Sequence, residues 1–153
     1  MKNIAISVTK SEILDEVSLH TAYMGVKTEA GENLYQRVAI VNEDCDLLER
    51  VWNEKCGSLI EYLKDFIVIS ESIGSSLSFT LEVSGSYDES MTPSLKSDIF
   101  EAMVSGVTAG WLRYSFPEKQ NEWEDKFIQL MQRALTKLCH RKRPVRAVTE
   151  NNQ

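Results

Sequence analysis

The stretch DFIVISESIGSSLSFTLEV, residues 65–83, decides between an all-helical bundle and a mixed fold. Its second half alternates Leu77, Phe79, Leu81 and Val83 with Ser78, Thr80 and Glu82, the period-two pattern of a strand with one buried face. Its first half is a β-branched run, and the intervening ESIGSS, residues 71–76, reads as a turn, so the whole is a β-hairpin. A hairpin alone is marginal and needs a third strand or helical cover. The N-terminal NIAISV, with Ile4, Ile6 and Val8 on one face, is available as that third strand.

Around this stretch the period is helical. After the N-terminal strand, Thr9 or Ser11 can cap a helix over about 12–27, with Ile13, Val17, Leu19, Ala22, Tyr23 and Val26 as its apolar residues. Gly31 then interrupts. Upstream of the hairpin, apolar residues from Leu34 through Val38, Val41, Cys45, Leu48, Trp52, Cys56, Leu59, Leu63 and Phe66 recur at steps of three or four. That stripe predicts one long helix over about 33–64, with a kink allowed near Gly57 and Ser58. Downstream, Thr92 as N-cap and Pro93 at the first helical position open a third helix, faced by Leu95, Ile99, Met103, Val107, Trp111 and Tyr114. Pro117 ends it, and a last helix over about 118–142 turns Trp123, Phe127, Leu130, Met131, Ala134, Leu135 and Leu138 inward until Pro144 stops it. The expected fold is therefore α+β, mostly α: four main helices around one core with a small antiparallel sheet. Residues 1–143 form one domain with the hairpin inserted at about 66–84, and 144–153 form an extended or flexible arm.

At 153 residues, with 42% hydrophobic and 26% charged residues, the composition is that of an ordinary soluble globular domain. No apolar run reaches the roughly 20 residues of a membrane helix, and the N-terminus lacks the pattern of a signal peptide. Three widely spaced cysteines, Cys45, Cys56 and Cys139, argue for free thiols in a reducing compartment rather than a disulfide framework.

Catalytic and metal motifs were sought at the spacing their chemistry requires. No HExxH, P-loop, GxSxG or GxGxxG is present, and the two histidines, His20 and His140, have no partner motif. The adjacent Cys139 and His140 would point about 100° apart on a helix, so Cys139 reads as a small packed residue. Glu43, Asp44, Asp46 and Glu49 lie within the strongest helical period and read as a solvated face, not a calcium loop. Neither enzyme activity, a metal nor a cofactor is expected. Gly106 and Gly110, four apart, predict close approach of another backbone, with the long helix as the first choice and a second subunit as the next.

Charge is strongly segregated. Residues 126–149 hold seven basic residues (Lys126, Arg133, Lys137, Arg141, Lys142, Arg143 and Arg146) and no acidic one, whereas residues 1–125 carry ten basic against 22 acidic residues. Three explanations are open: cations at a helix C-terminus, a nucleic-acid contact, or a basic arm that reaches the acidic body of a neighbouring copy. The acidic body and the absence of base-reading or aromatic platforms weigh against nucleic acid.

The register RVWNEKCGSLIEYLKDF, the ending GWLRYSFPEK of the third helix, and the terminal LCHRKRPVR, with Trp111, Leu112 and residues 141–146 foremost, together resemble small proteins of bacteriophage and prophage structural modules, of the head–tail connector or neck type. The resemblance implies a non-enzymatic virion protein, assembled in the bacterial cytoplasm, that forms a ring and contacts portal and tail proteins. Such a ring would use heterologous contacts. The partner-binding residues expected are Arg141, Lys142, Arg143 and Arg146 on the arm and Glu43, Asp46, Glu49 and Glu54 on the long helix, with residues 71–76 as a second contact. A nucleic-acid-binding regulator and a small interaction adaptor are the alternatives.

Overall fold

The computed structural model describes residues 1–27 and 45–146. In chain order these form β1 (Lys2–Thr9), α1 (Lys10–Lys27), α2 (Cys45–Leu63), β2 (Ile67–Ile73), β3 (Ser76–Val83), a 3₁₀ turn (Glu89–Met91), α3 (Thr92–Ser115) and α4 (Pro117–Leu138). The fold is mostly helical α+β, with a three-stranded antiparallel sheet of order β1–β3–β2. The N-terminal strand is indeed the third strand, and Ile4, Ile6 and Val8 pair with Leu81, Phe79 and Leu77. Paired residues of an antiparallel ladder share a face, so these six form one apolar surface, and all are buried. The hairpin turn is tighter than the sequence suggests: β2 runs to Ile73, leaving Gly74 and Ser75 as the two-residue connection. A bulge between Ile67 and Ile69 breaks the β2–β3 register, and Val68 and Ile69 stay exposed on this edge.

Helix α3 is the axis of the molecule. Every residue from Ala102 to Leu112 is buried, so helices and sheet close around it. The small residues of this segment make that possible. A Cβ on Gly110 would run into Val51 of α2, and one on Gly106 would stand 2.9 Å from Phe127 of α4 and 3.1 Å from Lys55 of α2. The glycine pair thus admits the long helix, as expected, and the last helix as well. Tyr114, expected on the inner face, is exposed.

Other boundaries move for local reasons. Helix α1 begins at Lys10 and buries the narrow stripe Ile13, Val17 and Thr21. Leu19 and Tyr23 are 63% and 60% exposed, because two residues beyond Val17 a helix has turned about 200° away. In α2 the stripe holds at Leu48, Trp52, Cys56, Leu59 and Leu63, with Val51 buried beside it. The helix continues without a break through Gly57 and Ser58. Cys45 is exposed, and Phe66 lies in the turn after the helix. Leu34, Val38 and Val41 lie outside the described residues. Thr92 is the first residue of α3 rather than its cap; the turn ahead of it is capped by Asp88, whose carboxylate accepts from the Ser90 N–H at 3.1 Å. Among the described residues no helix is long and apolar enough to cross a membrane.

Candidate functional site

The acid-free C-terminal segment is less uncompensated than its sequence implies. On α4, Arg133 and Lys137 are four residues apart and so share a face. Both reach Asp98 on α3, a carboxylate only 4% exposed, with Arg133 at 3.3 Å. Lys137 also bonds the Ser94 hydroxyl. Lys126 lies over the Trp123 ring, 5.1 Å from its centroid. Asp98 occupies an inward position of α3 between Leu95 and Ile99, and that break in the apolar stripe was the signal for a buried ion pair. Charged groups are fully buried almost only when paired.

The end of α4 differs from expectation. The helix stops at Leu138, with Cys139 as its C-cap, so Arg141 and Lys142 are not in the last helical turn and do not complement its dipole there. The chain instead finds backbone partners in the loop that follows β3. The Asp88 N–H donates to His140 O at 3.2 Å, the Lys142 N–H donates to Ser86 O at 2.9 Å, and Tyr87 and Arg141 form an isolated antiparallel bridge. Buried Tyr87 ties this root to the core, while the Arg141 guanidinium donates to the hydroxyls of Ser84 and Ser86. Cys139, expected to be packed, is exposed, because the chain leaves the helix at that residue.

Nearby acids respond to this root. The bonds from Ser90 hold the Asp88 carboxyl below the usual carboxylate range, with smaller help from His140 and Lys142. Glu89 is likewise lowered, first by its hydrogen bond and ion pair with Lys2, then by Lys142. Beyond the root, residues 142–146 are extended and exposed, and Val145 is 95% exposed. Arg143 and Arg146 have no ion pair among the described residues.

The expected acidic counterpart is divided. Glu49 is paired with Lys10 of α1, and Glu54 with Arg113 of α3 at 3.3 Å. Asp46 is exposed in the first turn of α2, and Glu43 lies outside the described residues. The start of α2 packs against the C-terminal end of α3, where Leu48 joins Trp111, Leu112 and Phe116, whereas the arm root lies beside the opposite end of α3. From Thr92 to Arg113 that helix spans about 30 Å at 1.5 Å per residue, so arm root and acidic helix face occupy opposite ends of one molecule.

Other polar groups are engaged in packing. Lys55 is 3% exposed, donates to both Glu124 oxygens at 2.9 Å, and lies 5.0 Å from the Phe127 ring centroid. His20 stacks at 5.5 Å on Trp123 and approaches Glu16 at 3.8 Å, a core-edge histidine. Among the described residues no group of three or more His, Cys, Asp or Glu is placed to hold a metal ion. Comparison with protein-family models, curated proteins and solved structures finds no match to the chain.

Proposed function

We propose that the protein is a non-enzymatic assembly subunit of a virion, of the head–tail connector type, which joins its neighbours through heterologous contacts with the C-terminal arm as donor. The observation that carries this reading is the arm itself. It is rooted by backbone bonds to residues 86–88, then leaves the body fully exposed with Arg143, Val145 and Arg146 bound to nothing described. A segment fixed at its base and bare beyond it is suited to being covered by another molecule. The acidic body of a second copy attracts such an arm over a distance of several ångströms, to an extent that salt reduces. Charge brings copies together without fixing a seat, and Glu49 and Glu54 already serve Lys10 and Arg113.

The test is the mass of the purified protein by light scattering at low and high salt, with absorbance read for bound nucleic acid. A defined oligomer free of nucleic acid supports the connector reading. A monomer of 17.4 kDa at every concentration, alone and with portal protein added, rejects it. Nucleic acid that co-purifies and leaves with salt would transfer the arm to a regulatory role.

A further inference from the structure

Strand β1 is an edge of the sheet: it pairs with β3 on one side and with no other described strand. Two adjoining cavities follow that strand. One, of about 500 Å³, is lined by residues 5–8; the other, of about 860 Å³, is lined by residues 2–5. They share Ala5 and Lys96, so they form one groove with β1 on one side and Pro93, Lys96 and Phe100 of α3 on the other. Side chains of a strand alternate between faces, so a cavity lined by consecutive residues is open to the backbone edge as well as to one face. An edge of this kind presents unpaired N–H and C=O groups to an added strand.

The groove selects its occupant by shape. Because α3 side chains flank β1, an added strand must come as a single detached segment. The β1 edge of another copy, flanked in the same way by its own α3, cannot enter. The detached extended segment among the described residues is the one that begins at Lys142. Its charge suits the groove as well: Glu71 and Glu89 line the two cavities, and Glu71 has no ion pair among the described residues. Pro144 lacks an N–H and so interrupts pairing with the chain's own loop, and Val145 beyond it supplies an apolar side chain free to be buried.

We infer that the β1 edge is the seat for the C-terminal arm of a second copy, which adds there as a fourth strand from about residue 143 onward. This rests on the assembly reading above and names its contact. Lys96, at the centre of the groove, donates to carbonyls of the added strand.

The experiment uses the full chain with Cys45 and Cys139 replaced by serine. One preparation carries Ala5→Cys and a second carries Val145→Cys; they are mixed under oxidising conditions, and light scattering is run on each without oxidant. A defined oligomer with a disulfide between the two different copies is the expected result, together with a fall to 17.4 kDa when residues 144–153 are removed. A defined oligomer that neither cross-links nor falls apart on truncation overturns the arm-to-edge contact and leaves the assembly reading standing. A monomer with no cross-link overturns both. A chain bearing both cysteines that closes only on itself overturns the inference too, since the groove is then filled by its own arm.

Discussion

Gly110 lies so close to Val51 that a single added carbon would clash with the Val51 Cγ1 methyl. Helices α2 and α3 therefore touch backbone to side chain at this level, and the contact fixes how deeply α3 is enclosed. Gly110→Ala should destabilise the protein in spite of alanine's better helix propensity. Overpacking of this kind costs about 1–3 kcal/mol, against a propensity gain of roughly 1 kcal/mol. Urea unfolding of Gly110→Ala, Val51→Ala and the double variant checks the cause. The double variant should be more stable than the sum of the single losses by at least about 0.5 kcal/mol, because Val51→Ala makes the room that the new methyl needs.

Lys55 and Glu124 form the second load on α2. The ammonium is buried, whereas the carboxylate side chain is 30% exposed. Loss of the two partners should therefore be unequal. Glu124→Ala strands a buried cation, and the expected loss is toward the lower end of the roughly 3–5 kcal/mol for breaking a buried pair, since water reaches the carboxylate side. Lys55→Met keeps the stem beside Gly106 and Phe127 and leaves a carboxylate that water can solvate, so its loss should be smaller. Thermal unfolding of the two variants that gave equal losses, or the reverse order, would contradict this account.

The elements themselves were legible because each rests on a local period. Ile4, Ile6 and Val8, the alternation from Leu77 to Val83, and the stripe from Leu48 to Leu63 all fall as their spacing predicts. What escaped depends on partners distant in sequence. Asp98 interrupts an apolar stripe visibly, yet nothing local says that Arg133 and Lys137 will meet it. Lys55 looks like any solvated lysine next to Trp52 and Cys56 until α4 brings Glu124 and Phe127 over it. The early stop of α4 has the same origin. The basic run after Leu138 reads as a helix end by composition, but loop 84–88, some 50 residues earlier, offers the backbone bonds that draw the chain out of the helix.

Cys56 should set the stability limit in alkali. Burial pushes its thiol up from 9.0 to about 11, partly offset by the charge of Lys10. Its folded pKa is raised, so its contribution is fully present below pH 9 and is lost as pH rises toward about 11, where the unfolded chain has already released the proton. Stability of the wild type should therefore fall over that window more steeply than that of Cys56→Ala, measured by urea unfolding at a series of pH values. The same burial predicts reactivity. At pH 8 the exposed Cys45 and Cys139 should titrate quickly with a disulfide reagent, and Cys56 only on unfolding.

The acidic side of the pH range concerns the arm root. Asp88 and Glu89 both have lowered pKa values, so the interactions of their carboxylates persist below the usual range and fade only as pH falls through the lowered values. The amide resonances of Ser90 and Lys142 should accordingly stay unchanged as pH drops through the ordinary carboxylate range, then shift together under stronger acid. Asp88→Asn should move the Ser90 signal at neutral pH and abolish its acid transition.

Reversal of charge on the arm separates the roles of its cations. Arg141 is engaged with Ser84 and Ser86, whereas Arg143 and Arg146 have no ion pair in the described residues. Arg143→Glu with Arg146→Glu should leave the unfolding midpoint within about 0.5 kcal/mol of wild type, as for other surface changes, yet weaken self-association at least tenfold at low salt. High salt should bring wild type and variant closer together, because it screens the steering charge without touching backbone pairing. Sedimentation of both proteins across a salt series reads this directly. Equal association at every salt concentration would remove the arm's charge from the assembly, and a variant that lost only nucleic-acid binding would move these two arginines to a phosphate contact.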